Sequence, residues 1–192
     1  GTVLGSCVAV CLWDSQLRFG GMNHYLLPNR PANAEMSTRF GDVAIAQLIE
    51  SMLGLGSHIR NLQAKLFGGG YVLRAGDPAF SAGRRNAEVA VAQLRRWRIP
   101  IAASRLSGTQ GLVIRQCTDC GDVWVRPTGV MDKRLHPPAD VDDLSCFSDD
   151  RFSSMVICGE DGQPVAIHTR SVIAAARGCN TCTSSPFGWR RT

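Results

Sequence analysis

The sequence predicts an α+β domain built from several short strands and two main helices. Apolar residues make up 44% of the 192 residues and charged residues 19%, a composition typical of a globular core. Two segments have apolar residues at helical spacing, and the other apolar segments are short and bounded by turn residues, as strands are. Because strands and helices do not alternate regularly along the chain, an α+β arrangement is favoured over a doubly wound parallel sheet.

The first elements are two strands and a helix. Residues Val3–Trp13 and Leu17–Leu27 predict two strands joined by a short turn. A helix then begins at Asp42, whose side chain can cap it, and ends at Gly54. A second helix spans about Arg84–Trp97. Further strands are predicted at Ala64–Phe67, Ile99–Ala103, Leu112–Arg115 and Asp122–Arg126.

The chain changes character after Pro127. Residues 1–127 predict one domain, and residues 128–192 predict a polar C-terminal extension that is partly disordered. Met155–Ile157 and Val165–Ile167 suggest a small hairpin within this extension. Because the sequence starts without a methionine, we expect it to begin inside a longer protein, with the domain truncated at its N-terminus.

Charge and hydropathy argue against several classes of partner. The net charge is +5, but the basic residues are scattered, so no nucleic-acid partner is predicted. No apolar segment approaches the ~20 residues of a membrane-spanning helix, so no membrane insertion is predicted. The eight cysteines lie in a chain without an apparent export signal. We therefore expect thiols in a reducing cytosol.

One cysteine and one histidine stand out as candidates for catalysis. Cys7 follows Gly5 and Ser6 at a point where a strand would bend, and small residues allow backbone to approach a substrate closely. Backbone N–H groups at such a bend can form an oxyanion hole, the donor pair that stabilises a negatively charged tetrahedral intermediate. A thiol attacks only as thiolate, and His24 is the best-placed base if the first two strands pair. On these residues alone, a buried cysteine and a core histidine remain the more common interpretation.

Ordered blocks over about residues 1–127 carry more information than either residue alone. The chain opens with Thr2-Val3-Leu4-Gly5-Ser6-Cys7-Val8, and a histidine block, Gly20-Gly21-Met22-Asn23-His24, follows. The later blocks, in order, are Arg39-Phe40-Gly41-Asp42, Ala64-Lys65-Leu66-Phe67-Gly68-Gly69-Gly70, Gly83-Arg84-Arg85-Asn86 and Gly108-Thr109-Gln110-Gly111. Any single block is a weak signal, whereas the ordered set resembles CheD, the chemoreceptor glutamine deamidase family.

The resemblance implies a cysteine hydrolase. Such an enzyme converts glutamine side chains of methyl-accepting chemotaxis receptors to glutamate and releases ammonia, without a metal or organic cofactor. The family's nucleophile matches Cys7, its base matches His24, and backbone donors near Gly5 and Ser6 would stabilise the oxyanion. Its third residue, a threonine, matches Thr2, although one more residue in that interval, as some members have, would place Gly1 there.

The resemblance also implies a fold and partners. The fold would be a mixed or antiparallel β-sheet sandwich packed with two main helices, similar to the cytotoxic necrotizing factor type of cysteine hydrolase. A CheC-type phosphatase is an implied regulatory partner, methyl-ester hydrolysis at the same receptor sites is an implied second activity, and the location is cytoplasmic. Two alternatives stay open, namely a non-enzymatic adaptor of chemotaxis proteins and a toxin-like deamidase of another protein.

Two cysteine pairs compete with this interpretation. Cys117 with Cys120, and Cys179 with Cys182, have the spacing of zinc ligands. The two pairs are much farther apart than those of a compact zinc knuckle, and the first falls on an expected hairpin turn. Unligated thiols are therefore predicted, and a zinc that joins the extension to the domain is the alternative.

Overall fold

The structure is a computed structural model that describes residues 1–72, 77, 81–128, 155–158, 164–167 and 190–192. Its ten strands and two helices follow in chain order. They are β1 (Thr2–Leu4), β2 (Val8–Asp14), β3 (Phe19–Tyr25), α1 (Gly41–Gly54), β4 (Leu62–Gly68), α2 (Ala82–Arg96), β5 (Ile101–Leu106), β6 (Leu112–Gln116), β7 (Val123–Pro127), β8 (Met155–Cys158), β9 (Pro164–Ile167) and β10 (Arg190–Arg191).

A six-stranded sheet forms the centre of the molecule, in the order β5-β4-β2-β3-β8-β9. Strand β2 pairs antiparallel with β3 on one side and with β4 on the other. Three consecutive residues, Val8, Ala9 and Val10, are fully buried, because this strand has packed layers on both faces. The predicted pairing of the first two strands is confirmed, and β2 becomes the rigid element next to which the candidate residues lie.

The second sheet has four strands, in the order β1-β6-β7-β10, and packs against one face of the first. Its buried residues share one apolar cluster with those of β2 and β4. The members are Leu4, Ala9, Cys11, Phe67, Leu112, Ile114, Val123 and Val125. The sheets therefore form a two-sheet sandwich, which confirms the predicted α+β class with mixed and antiparallel strands.

Both helices cover the opposite face of the six-stranded sheet. Apolar side chains at helical spacing on α1 and α2 join those of β2 and β4 in a second cluster, as their periodicity predicts. Tyr25 is buried in this cluster, and its ring fills the space that a side chain at Gly41 would need. The two predicted helices are confirmed, so the molecule has three layers.

Two details of the sequence interpretation are wrong. The apolar segment Val3–Trp13 is not one strand, because it divides between the two sheets at Gly5-Ser6-Cys7. Asp42 does not cap α1, which begins one residue earlier. Instead, its carboxylate accepts hydrogen bonds from the backbone N–H groups of Val43 and Arg30, both at 3.0 Å, and so fixes the loop before the helix.

Short strands from the C-terminal region join both sheets. The predicted hairpin is present as β8 and β9, and β8 pairs parallel with β3. Strand β10 pairs with β7. The predicted domain boundary near residue 127 stays a prediction. In the part of the chain that the structure describes, neither helix has the length and apolar character needed to span a membrane.

Candidate functional site

Cys7 lies where the chain passes from the four-stranded sheet into the six-stranded sheet. It directly precedes β2 and is half-buried against the apolar cluster between the sheets. Ala9, two residues on, points into the same cluster and pairs directly with His24 on β3. Residues two apart on a strand share a face, and Cys7 packs against the same cluster, so its side chain lies on the sheet face that also carries His24.

Thr2 reaches His24 from the other sheet. Its hydroxyl oxygen lies 3.0 Å from the imidazole Nδ1, so the bond crosses the interface of the sandwich. The hydroxyl accepts from an Nδ1–H or donates to a bare Nδ1, depending on the tautomer. The other ring nitrogen, Nε2, is buried. The structure thus brings two of the three predicted side chains into direct contact, and it places Thr2 rather than Gly1 at the imidazole.

The bend that carries the thiol is anchored at three successive carbonyl groups. The Gly5 carbonyl accepts a hydrogen bond from the Gly70 N–H at 2.8 Å, and the Cys7 carbonyl accepts one from the Gly69 N–H at 2.7 Å. Between them, the Ser6 carbonyl accepts a bond of 3.0 Å from the side-chain amide of Asn86. Every peptide plane around the thiol is therefore fixed in orientation, as a preformed site requires.

The glycine block, Gly68-Gly69-Gly70, allows this close contact of backbone with backbone. Gly68 has a φ of +100°, and a side chain there would overlap the Cys7 carbonyl. At the start of α2, a Cβ on Gly83 would lie 2.6 Å from the Gly69 carbonyl oxygen. The three glycines therefore pack their backbone directly against the segment that carries Cys7.

Burial and hydrogen bonding act on the Cys7 thiol in opposite directions. Partial burial is the larger effect and raises its pKa above the ordinary value for cysteine, because a thiolate is poorly solvated there. Hydrogen bonds from the backbone at Cys7 and Gly5 oppose this rise. Only donors stabilise a thiolate, so these are N–H groups. At neutral pH the resting residue is a protonated thiol with anion-stabilising donors already beside it.

Of the two cysteine pairs for which zinc is the alternative prediction, Cys117 with Cys120 lies away from this site. Cys117 and Cys120 occupy the turn between β6 and β7, where the Cys120 thiol donates to Asp122 at 3.3 Å. Cys179 and Cys182 lie outside the described residues. Among the residues that are described, no three His, Cys, Asp or Glu side chains converge as metal ligands, and the four cysteines form no disulfide with one another.

One residue beside the site was given no role by the sequence interpretation. Asn86 belongs to the Gly-x-x-Asn block, but its side chain is fully buried and binds both the Ser6 and the Leu26 carbonyl groups. A signal was present in the sequence, since an asparagine inside the first turns of a helix is unfavourable unless its amide has other partners. Nothing in the spacing indicated which partners these would be.

The protein is therefore an α+β sandwich with a helix layer on one side. One face of its central sheet carries the Cys7 thiol and the His24 imidazole, and Thr2 contacts the imidazole. The model of the CheD family, described as CheD chemotactic sensory transduction, matches residues 26–127. The chain therefore belongs to the CheD family. The matched range begins just after His24, so the roles of Thr2, Cys7 and His24 stay predictions.

Similar proteins in three bacteria agree with this placement, and each is named a probable chemoreceptor glutamine deamidase CheD. The protein of Rhodospirillum rubrum is 48% identical over 125 residues, which cover 65% of this chain and 70% of that protein. That of Trichlorobacter lovleyi is 43% identical over 64% of this chain and 76% of its own length. For a CheD 1 protein of Anaeromyxobacter dehalogenans the identity is 44%, over 65% and 72%.

Proposed function

We propose that this protein deamidates specific glutamine side chains of methyl-accepting chemotaxis receptors to glutamate. The substrate class rests on membership of the CheD family and on the names of the similar proteins. The chemistry rests on one observation, the 3.0 Å contact between Thr2 and His24 on the sheet face that also carries Cys7. That contact orients an imidazole on the same sheet face as the thiol, and thiol hydrolases use an oriented imidazole to activate their nucleophile.

The proposed first half-reaction forms a thioester. The Thr2 hydroxyl accepts from the Nδ1–H of His24, which leaves the lone pair on Nε2. Nε2 takes the Cys7 proton as the sulfur attacks the carboxamide carbon of the substrate glutamine, and a tetrahedral oxyanion forms. The intermediate collapses, the C–N bond breaks, and the imidazolium returns its proton to the departing nitrogen, so that ammonia leaves.

The second half-reaction restores the thiol. His24 takes a proton from a water molecule, whose oxygen attacks the thioester carbon. The C–S bond then breaks, the sulfur recovers a proton from the imidazolium, and the product is glutamate. In both halves the proposed oxyanion donors are the N–H groups of Gly5 and Cys7, which oppose the rise in the pKa of the Cys7 thiol.

Apolar side chains beside the bend suit a protein substrate better than free glutamine. Val3, Leu26 and Val72 are 60%, 45% and 39% exposed. Val72 lies against Gly5 and Gly70, and the Leu26 carbonyl shares Asn86 with the Ser6 carbonyl, so two of these residues lie near the segment that carries the thiol. Exposed apolar surface of this kind is typical of a macromolecular contact.

Incubation with the purified cytoplasmic domain of a receptor tests the proposed function. We expect ammonia release and conversion of particular glutamines to glutamate, located by peptide mass spectrometry. A receptor domain in which those glutamines are already glutamate is the matched control and should release none. A protein that binds the receptor domain but releases no ammonia would instead be the non-enzymatic adaptor.

Alkylation of Cys7 should report its raised pKa. Because only the thiolate reacts, the rate of alkylation at Cys7 should increase with pH and still be rising at about pH 9. Cys11, whose pKa burial raises to about 12, is the internal comparison and should react far more slowly. Peptide mass spectrometry after timed labelling separates the two residues. A plateau at Cys7 below about pH 7 would show a resident thiolate and contradict this prediction.

Replacing Thr2 with valine should slow catalysis without unfolding the protein. Valine keeps the shape of the side chain but cannot accept from the imidazole Nδ1–H, so we expect kcat to fall about 10- to 100-fold with KM nearly unchanged. Thr2→Ser, which retains the hydroxyl, should recover most of the activity. Steady-state kinetics with the receptor domain provide the measurement, and equal activity of the two variants would remove Thr2 from the mechanism.

The finer features of the family belong to the same proposal. They are a fold of the cytotoxic necrotizing factor type, a deamidase domain that ends near residue 127, a cytoplasmic location and regulation by a CheC-type phosphatase. The two-sheet sandwich with its helix layer supports the first of these. The family's link to chemotactic sensory transduction supports the last two.

A further inference from the structure

Asn86 connects the two segments that carry the thiol and the imidazole. Its side-chain amide donates one hydrogen bond of 3.0 Å to the Ser6 carbonyl, next to Cys7, and another of 2.9 Å to the Leu26 carbonyl, two residues after His24. An amide nitrogen has two hydrogens, so both of its donors are engaged in these hydrogen bonds. One side chain therefore holds the bend before β2 and the end of β3 at a fixed separation.

The backbone of Asn86 is itself fixed. The Tyr25 hydroxyl donates a hydrogen bond of 2.6 Å to the Asn86 carbonyl, inside the apolar cluster beneath α2. Burial raises the pKa of Tyr25, so this hydroxyl stays protonated and remains a donor. Gly83, one turn earlier on α2, lies in contact with the glycine block. The side chain of Asn86 thus projects from a rigid platform.

Anchoring the Ser6 carbonyl also decides where the Cys7 N–H points. The Ser6–Cys7 peptide is trans, and in a planar trans peptide the N–H and the C=O point in opposite directions. With the carbonyl held toward Asn86, the N–H is directed away from α2. The same N–H is one of the two backbone donors that oppose the rise in the pKa of the Cys7 thiol.

The structure carries a cost at this residue. The Asn86 side-chain oxygen, Oδ1, is buried and has no hydrogen-bond partner among the described residues. An unsatisfied buried acceptor typically lowers stability by about 1 to 3 kcal/mol, so an apolar side chain would suit this position better if it served only for packing. A donor that must reach two carbonyl groups at once explains why an amide stands here despite that cost.

We propose that Asn86 is a positioning residue that aims the Cys7 N–H into the oxyanion hole. This inference rests on the proposed deamidase function for its kinetic consequence, but its effect on the Cys7 thiol does not depend on the substrate. Asn86 itself touches neither the substrate nor the reacting atoms. It acts through the orientation of a single peptide group.

Asn86→Asp gives the strongest test, because an aspartate oxygen in place of the amide nitrogen cannot donate and faces two carbonyl oxygens. We expect kcat to fall about 100- to 1,000-fold with KM within about three-fold of the wild type, the loss typical of one oxyanion donor. The pH profile of Cys7 alkylation should move to higher pH, since the thiolate loses a stabilising N–H. Asn86→Ala removes the two hydrogen bonds without adding repulsion, so the fall in kcat and the shift of the alkylation profile should both be smaller. This second variant keeps the test decisive if the aspartate variant does not fold.

Gln116 provides the matched control. Its side-chain amide likewise donates to a carbonyl of β2, that of Leu12, at 2.9 Å, but five residues farther along the chain than Cys7. Gln116→Glu and Gln116→Ala remove the same type of bond and should lower stability with kcat and the Cys7 profile unchanged. If the Asn86 variants behaved like these, Asn86 would be a structural residue and the proposal would be overturned.

The two readouts separate this proposal from the proposed function. A wild-type protein that releases no ammonia from any receptor domain would overturn the deamidase function. A shifted Cys7 alkylation profile in Asn86→Ala would then still support the role of Asn86 at the thiol. Conversely, an active wild type with an unshifted profile in both Asn86 variants would overturn the positioning role alone.

Discussion

Cys7→Ala is expected to abolish ammonia release from the receptor domain, with a fall in kcat of about 10,000-fold or more. Alanine has no sulfur to form the thioester, and removal of a nucleophile leaves only the residual effect of binding and the oxyanion hole. Because Cys7 is only half-buried, the variant should keep the wild-type fold and still bind the substrate. The measurement is single-turnover kinetics together with receptor-domain binding.

Cys11→Ala is the matched control for this variant. Cys11 also lies on β2 and packs in the same inter-sheet cluster, but it is buried and lies four residues beyond Cys7. Loss of its sulfur should cost about 1 to 2 kcal/mol of stability through a small cavity, with kcat within a few-fold of the wild type. Substantial activity in Cys7→Ala, or loss of activity in Cys11→Ala at full folding, would show that the nucleophile is wrongly assigned.

Gly68→Ala should strongly destabilise the protein. The methyl would overlap the Cys7 carbonyl oxygen, which is backbone and cannot rotate away, and the φ of +100° is unfavourable for any L-residue. Overpacking and backbone strain together predict a loss of about 2 to 5 kcal/mol in the free energy of unfolding. Urea denaturation followed by circular dichroism measures it.

Gly54→Ala is the corresponding control. Gly54 is the exposed last residue of α1, and a Cβ there would have no neighbour within 4 Å. The substitution should raise stability by about 0.5 to 1 kcal/mol, because alanine loses less conformational entropy than glycine on forming a helix. If both alanine variants had wild-type stability, the close packing of the glycine block against the thiol segment would be disproved.

Local patterns in the sequence were sufficient for most of the central sheet and the helices. The pairing of β2 with β3 follows from two apolar segments joined by a short turn, and the helices follow from apolar residues at helical spacing. These features depend on residues that are close in sequence. The resemblance to CheD then predicts Cys7 and His24 as a catalytic pair, and their roles stay predictions.

The division of the first apolar segment could not be predicted in this way. Leu4 and Val8 are equally buried, yet Leu4 packs between the sheets and Val8 packs beneath the helices. Apolar residues on both sides of Gly5-Ser6 look the same whether the chain continues in one sheet or crosses to another. Only the pairing of β1 with β6, more than a hundred residues later in the chain, decides it.

The contacts of Asn86 were beyond reach for a related reason. Its two carbonyl partners lie 80 and 60 positions away in the sequence. Backbone carbonyl groups carry no residue identity, so no side-chain pattern marks them. Such contacts follow from the assembled layers and not from any local segment.

The bond between Thr2 and His24 joins residues that belong to different sheets. Neither sheet contains the proposed site by itself, since the hydroxyl lies on an outer strand and the imidazole on an inner one. In the proposed mechanism, activity therefore depends on the packing of one sheet against the other. Separating the two sheets would break this contact even if each sheet kept its own hydrogen bonds.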